Sequence, residues 1–465
     1  MSFQPVLLWT DLLLWLLLGC GVGLGIVSAH TLRQAWSRLG KNTVAMATAT
    51  LLSAFLLVGL LDSLHYRERL PPAPGEVRVV YGVEVRSVLD GLLRQLREQS
   101  EKTYSAPFAT RLYAKETLET PAGPVQGYPR LKYGGAHLGE HEAKRDKDVL
   151  QRAFAAGVLA FLLWLGLTAG LTALLARHQG ASHHETWQAI WQGETAFAWR
   201  GVLLALGGLL LVFLPMALWA GDYHVLGTDK VGQDVFYQVL KSIRTALVIG
   251  LVTTLVMLPL AVVLGIVAGY FRGWADDLIQ YVYTVLNSIP GVLLIAAAVL
   301  MMQVLIDTHP QWFATAAERA DLRLLALCVI LGMTSWTGLA RLLRGESLKL
   351  RELEYIQAAR AFGVSSARII GRHLLPNLMH IVVIALVMDF SSLVLAEAVL
   401  SYVGIGVDPS MISFGTMINN ARMELGREPV VWWSLAAAFV FMFVLVLSAN
   451  LFADAVRDAF DPRLD

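Results

Sequence analysis

Three carboxylates, Asp11, Asp389 and Glu397, lie inside strongly apolar runs of this 465-residue sequence. An ionised group in hydrocarbon is costly enough to mark a functional position by default. Asp389 and Glu397 are eight residues apart, about two turns along one helix. The pair therefore either lines a polar path or is satisfied by hydrogen bonds inside a helix bundle. Asp11 is near one end of its run, within reach of headgroups. His178, His183, His184 and Glu185 gather in one polar stretch, but the His-Glu-x-x-His spacing and a nearby cysteine are both missing. A solvated loop is expected there rather than a metal site. Gly19, Gly21, Gly23 and Gly25 follow no strand and sit in an apolar run, which suits close helix packing rather than a dinucleotide cradle. The sequence contains no phosphate loop ending Gly-Lys-Ser/Thr and no Gly-x-Ser-x-Gly nucleophile element. Nucleotide hydrolysis, if it drives this chain, belongs to another polypeptide.

The elements that must position these residues follow from composition. Apolar side chains make up 56% and charged ones 16%, where a soluble domain carries roughly 25% charge. Thirty-seven basic residues against thirty-six acidic leave no global field for nucleic acid. Cys20 and Cys328 are far apart, which excludes a disulfide framework. A helix crossing hydrocarbon needs roughly 20 apolar residues. Nine runs meet that need: 6–28, 43–61, 152–176, 201–220, 244–270, 278–306, 323–340, 378–402 and 431–453. Pro259 and Pro290 fall inside two of them and read as kinks with hinge potential, Asn287 and Ser288 being placed to satisfy the freed backbone.

Basic residues resist translocation, so their distribution in short loops sets orientation. Segments 29–42, 177–200, 271–277, 341–377 and the tail carry fifteen Lys and Arg, whereas the short loops of the opposite face carry far fewer, Lys230, Arg319, Arg422 and Arg427 among them. The N-terminus is therefore expected outside and the C-terminus inside. Residues 62–148 interrupt the pattern with mixed charge and open on Pro71-Pro72-Ala73-Pro74. A small α+β lobe on the outer face is expected, with a strand over 77–85 and helix over 88–99. The organisation expected is 1–61 with two membrane helices, 62–148 the lobe, 149–200 a third helix and its loop, and 201–465 a six-helix core.

Seven of the fifteen basic residues fall in 341–377, which reads RLLRGESLKLRELEYIQAARAFGVSSARIIGRHLLPN. Glu346 to Phe362 are helix formers, and Gly363 is placed as a left-handed cap. Ser365 or Ser366 then opens a second helix that Pro376 is expected to end. Tyr355, Ile356 and Phe362 supply apolar anchors beside the small face of Ala358, Ala359 and Ala361. From residues alone this helix, elbow and helix suits either docking to a protein or lying on anionic headgroups.

Gln357-Ala358-Ala359, Gly363 and Leu375-Pro376 resemble the coupling loop of permease subunits of binding-protein-dependent ABC importers, with Gln357 standing for the family's Glu and His373 for its Ile. Leu226-Gly227-Thr228-Asp229, then Gly232-Gln233-Asp234-Val235, is similar to an extracellular segment of the dipeptide and oligopeptide branch, with Gln233 replacing an Arg. Leu395-Ala396-Glu397-Ala398, Leu400 to Val407 and Arg457 to Leu464 resemble the same branch. Together these cover roughly residues 200–465.

The resemblance implies an all-α, type I importer permease in the bacterial inner membrane, passing peptides by alternating access. It implies a second permease subunit, two ATP-binding subunits and a periplasmic substrate-binding protein as partners, within a lipid bilayer. No cofactor is expected on this chain, ATP and Mg acting on the partner ATPases. Tyr355, Gln357, Ala358, Ala359, Gly363, Leu375 and Pro376 would then couple to the ATPase. By their own position, Asp389 and Glu397 either face the path, where they would meet a peptide amine, or pair within the bundle. A lipid-binding scaffold and a membrane hydrolase using Asp389 and Glu397 are the rival readings.

Overall fold

The computed structural model describes residues 3–31, 33–70, 81–120, 123–139, 141–313 and 315–460. The first part of the chain forms β1 (Phe3–Val6), α1 (Trp9–Thr31), α2 (Arg33–Lys41), α3 (Thr43–Ser63) and β2 (His65–Glu68). There follow β3 (Arg86–Ser87), α4 (Val88–Leu92), α5 (Arg94–Glu98), β4 (Glu116–Thr120) and β5 (Gly123–Gly127). Next come α6 (Arg145–Gln179), α7 (His183–Gln192), α8 (Trp199–Trp219), α9 (Val235–Phe271), α10 (Trp274–Ser288) and α11 (Gly291–Thr308). The last are α12 (Ala316–Ser335), α13 (Thr337–Arg351), α14 (Glu354–Ala361), α15 (Ser366–Ile369), α16 (Leu375–Val403), α17 (Phe414–Arg422) and α18 (Trp433–Phe460).

Among the described residues, eight helical segments are long and apolar enough to cross a membrane, and residues 9–23 form a shorter apolar helix where the first span was expected. The expected span 278–306 is two helices. Proline disfavours helical backbone in the residue before it, so Ile289 turns extended (φ −91°, ψ 131°) and Pro290 becomes the residue that precedes α11. Ser288 donates to the carbonyl of Val285 at 2.7 Å, as freed backbone requires, while Asn287 accepts instead from Thr337 at 3.2 Å. Pro259, by contrast, is exposed within α9, which continues through it. Pro215 sits in the same way inside α8.

The chain divides into two compact units. One comprises Met1–Val6, Leu32–Thr245 and Ile412–Ala455. In it α8 packs on both α3 and α6, with the Trp164 indole donating to the Leu203 carbonyl at 2.7 Å. Asn42 caps α3 by accepting from the Val44 and Ala45 amides. The lobe grows from the far end of α3. Strand β1 pairs antiparallel with β2, and β2 with β3, so residues 3–6 belong to the lobe. The expected helix over 88–99 is α4 and α5, and β4 with β5 makes a hairpin that sequence reading did not anticipate. Of the strand expected over 77–85, residues 77–80 lie outside the described residues; Tyr81 makes one bridge to Arg69, and 82–85 form no strand.

The other unit comprises Leu7–Thr31, Ala246–Met411 and Val456–Asp465. Here α1 packs on α12: Thr10 donates its amide to Asp321 at 3.2 Å, and its hydroxyl also bonds that carboxylate. Asp11 and Leu14 are buried. The inner part of α9 lies close against α13, because Gly265 lets its backbone approach the Ala340 carbonyl. Met257, Ala261, Leu339, Leu343, Ile369 and Leu378 belong to the core that forms there.

Gly265→Val is expected to destabilise the detergent-solubilised protein by about 1–3 kcal/mol, since a Cβ there would sit 2.7 Å from the Ala340 oxygen. The thermal midpoint should fall. Gly338→Ala, where nothing lies within 4 Å, is the matched control and should leave the midpoint unchanged.

Candidate functional site: a helical elbow and a charge latch

The segment after the sixth long apolar helix begins inside the membrane-length helix itself, because α12 and α13 form a continuous helical run from Ala316 to Arg351. The expected helix 346–362 is therefore divided. It breaks at Glu352 and Leu353, the latter extended (φ −68°, ψ 139°), and restarts as α14. Gln357 explains the break's stability: its Nε2 donates to the Glu352 carbonyl at 3.1 Å. A carboxylate at 357 would offer no donor and would stand beside Glu352, so the departure from the family's Glu is matched by the local environment.

Helix α14 ends on Gly363 at φ +75°, with the Val364 amide returning to the Ala359 carbonyl at 3.1 Å. That conformation costs any L side chain about 1–2 kcal/mol. Ser365 precedes α15, and the helix does not stop at Pro376. It passes through a π turn over Ile370–Leu374 and merges into α16, where Pro376 occupies the first turn. Proline is tolerated there because the first-turn amide has no intrahelical acceptor.

This elbow has two faces. Ile356, Ile369 and Leu374 are buried in the core shared by α9 and α13, and Ala359, Val364 and Leu375 pack against it. Ile356 is thus an internal anchor, not the docking residue the sequence suggested, and Ala359 is half-buried. Outward face Gln357, Ala358, Ala361 and Pro376, together with Tyr355 at 47% and Phe362 at 88% exposure. Tyr355 is held by Asn377, whose Nδ2 donates to its hydroxyl at 3.2 Å, and lies beside His373.

Four of the seven basic residues are engaged within the chain. Arg344 forms a bidentate pair with Asp276 at 2.6 and 2.7 Å. Arg351 donates to the Tyr270 carbonyl, Lys349 pairs with Glu346, and Arg341 lies over the Tyr283 ring. Arg360, Arg368 and Arg372 remain exposed around the tip.

The two intramembrane carboxylates of α16 separate. Eight residues at 100° each overshoot two turns by about 80°, so they do not share a face. Glu397 is buried and accepts from Ser401 Oγ at 2.6 Å. Asp389 is half-buried, and its carboxylate takes no hydrogen bond from a described residue. His183 and His184 open α7, where Glu185 closes a capping box with Ser182.

A second constellation went unforeseen. The segment 226–235 turns on Gly227 and Gly232, both at positive φ, and Asp229 accepts from the Val231 and Gln233 amides. Asp234 caps α9 by accepting from Phe236 and Tyr237, and its other oxygen meets His224 Nδ1 at 2.8 Å. Glu101 of the lobe sits 3.4 Å from His224 Nε2 and accepts from the amides of Lys132, Tyr133 and Gly134. Thr228 accepts from the Ser105 amide, and Glu101 donates its amide to Gly232. Nearby, Lys241 bridges Asp62 and Asp90 at 2.6 and 3.0 Å. No single motif could have exposed this latch, since Glu101 and His224 are 123 residues apart.

Burial alone would drive His224 down, but Asp234 and Glu101 outweigh it and raise the imidazole to about 9. Burial likewise pushes Glu101 up, yet His224 and the backbone amides bring it to about 2. The signs follow from linkage. The raised His224 stabilises the latch fully below its ordinary 6.5, and this is lost as pH rises through about 9. The depressed Glu101 stabilises it above 4.5, and this is lost as pH falls through about 2. The latch is expected to be tightest between these ordinary values, measured as amide-exchange protection of Lys132 to Gly134 corrected for intrinsic rate. Glu101→Ala leaves His224 Nε2 and three backbone amides without their acceptor and should cost about 3–5 kcal/mol.

The family described as binding-protein-dependent transport system inner membrane component matches residues 261–465. The glutathione transport system permease protein of Pectobacterium atrosepticum is 32% identical over 301 residues, covering 60% of this chain and 91% of that protein. The oligopeptide transport system permease protein of Mycobacterium bovis is 33% identical over 242 residues, 52% of this chain and 77% of that protein. A looser likeness links the chain to an inward-facing crystal form of the MetNI methionine ABC transporter, 17% identical with a TM-score of 0.37, covering 49% of this chain and 97% of that one. A multi-pass helical chain with this elbow and these relatives belongs to the family of binding-protein-dependent ABC importer permeases, in the branch that holds the oligopeptide and dipeptide permeases.

Proposed function

We propose that this chain forms one transmembrane half of a peptide importer and that its elbow over 354–376 takes the thrust of partner ATPases. The observation that carries this is the exposed Phe362 and Tyr355 at the tip of a loop whose inner face is fused to the helix core. Closure of two ATP-binding subunits on ATP and Mg would press on α14. Ile356, Ile369 and Leu374 pass the displacement to α9, α13 and α16, because a packed core moves as a rigid element rather than compressing. A second permease subunit supplies the other half of the path, and a periplasmic binding protein delivers the cargo. The basic-residue asymmetry supports a periplasmic lobe and N-terminus with the elbow in the cytoplasm. The pairing of residues 3–6 with the lobe supports the same side for both.

Peptides are the favoured cargo because relatives carry glutathione, oligopeptide and dipeptide transport in their names. Asp389 is the carboxylate free to meet a peptide amine, while Glu397 is held by Ser401.

Phe362→Glu lies on the surface and should leave membrane insertion intact, abolish copurification of the ATP-binding subunits and lower uptake at least ten-fold. Gly363→Val should do the same with a lowered thermal midpoint. Retained uptake with Phe362→Glu would refute the coupling role. For the cargo, Asp389→Asn should raise the peptide concentration giving half-maximal uptake for free-amine dipeptides, with N-acetylated dipeptides unaffected. An equal change for both classes would remove Asp389 from the path.

A further inference from the structure

The bundle of α3, α6 and α8 precedes the residues that match the family, 261–465, and has an end of its own opposite the lobe. At that end α3 begins, α6 finishes and α8 begins, joined by the Arg200 guanidinium donating to Thr43 Oγ1 at 2.9 Å. Two short helices lie there, α2 before α3 and α7 between α6 and α8.

Helix α2, RQAWSRLGK, holds three basic residues and no acidic one. It buries Leu39 and Gly40. The Gly40 carbonyl accepts from Ala198 at 2.7 Å, and the Phe197 ring lies where a Cβ on Gly40 would be. Helix α7 buries Thr186 and Ile190 and packs on α6 and α8. Trp191 lies against Trp164 of α6 and Trp187 at ring separations of 6.4 and 5.8 Å. Both helices are thus pinned at these positions, while Trp36, beside Leu39 and Gly40, and Trp187, beside Trp191, keep 39% and 38% exposure and Phe197, between α7 and α8, keeps 50%.

We infer that α2, α7 and the start of α8 form a collar that binds the headgroups of anionic phospholipids. The charge is complementary. Arg33, Lys41 and Arg177 are exposed at this end, with Arg38 and Arg200 partly so, against two nearby acids, Glu185 and Glu194, which leaves the end net positive. Amphipathic helices with aromatic side chains and cationic rims lie in the interfacial plane, rings at headgroup level and cations reaching outward. Continuity points the same way: exposed Phe161, Leu165 and Leu174 run along α6 into the collar, giving acyl chains an apolar wall directly beneath it. A soluble acidic protein would find the basic residues but would have no use for that wall.

The test uses the full chain in nanodiscs of phosphatidylcholine and phosphatidylglycerol in equal parts. A bimane fluorophore on Gln188→Cys, in a Cys20→Ser background, reports quenching by spin-labelled phosphatidylglycerol against spin-labelled phosphatidylcholine. The collar requires stronger quenching by the anionic lipid. Arg33→Gln, Lys41→Gln and Arg177→Gln should lower that preference by about five-fold for each charge removed. Equal quenching by both lipids in the parent chain, or an unchanged preference in the triple variant, overturns the inference. Absence of quenching by either lipid also overturns it. Native mass spectrometry of retained phosphatidylglycerol gives a second readout that needs no label.

Discussion

Hydrocarbon offers no partner to a backbone amide or carbonyl, so every crossing segment must satisfy itself as helix. The rest of this structure depends on that restriction. It leaves the crossing segments chemically quiet and drives polar work to the helix ends. The elbow, the charge latch and the aromatic collar all sit where long helices begin or finish. Within the apolar segments the exceptions are few and specific: Asp389 without a hydrogen-bond partner among the described residues, Glu397 held by Ser401, and the peptide plane released before Pro290.

Rigidity at the helix ends is obtained differently at each place. At the elbow a glycine in the left-handed region reverses the chain without side-chain strain, and an amide side chain at 357 seals the preceding break. At the latch, ionic groups do the work in a dry setting, where attraction between unlike charges is strong but removal of one partner is severe. His224 and three backbone amides converge on Glu101, which is why the carboxylate stays charged despite burial. The two devices suit different duties: the first transmits displacement, and the second holds a lobe against a loop.

Much of the elbow was legible because its signals are local. Gly363, the serine after it and Pro376 constrain the backbone within a few residues, and the apolar lengths foretold the crossing helices. What escaped was set by tertiary contact. Burial of Ile356 follows from how α14 leans on α9 and α13, and no pattern within the loop separates it from Phe362. The merging of α15 into α16 through a π turn reversed the expected role of Pro376, since proline ends a helix or begins one according to the chain before it. Asp389 and Glu397 are about two turns apart by count, and the residual rotation of about 80° carries them to different faces. The latch joins a lobe residue to a loop far along the chain, which periodicity cannot reveal.

That separation bears on how the protein is built. Glu101 emerges from synthesis long before His224 and Asp234, and two crossing helices, α6 and α8, lie between them. The lobe's ionic contacts therefore stay incomplete until α8 has followed and delivers the loop that completes them. A single pair of ionic contacts thus depends on the placement of both helices in between: a chain whose α6 or α8 is misplaced leaves Glu101 without His224.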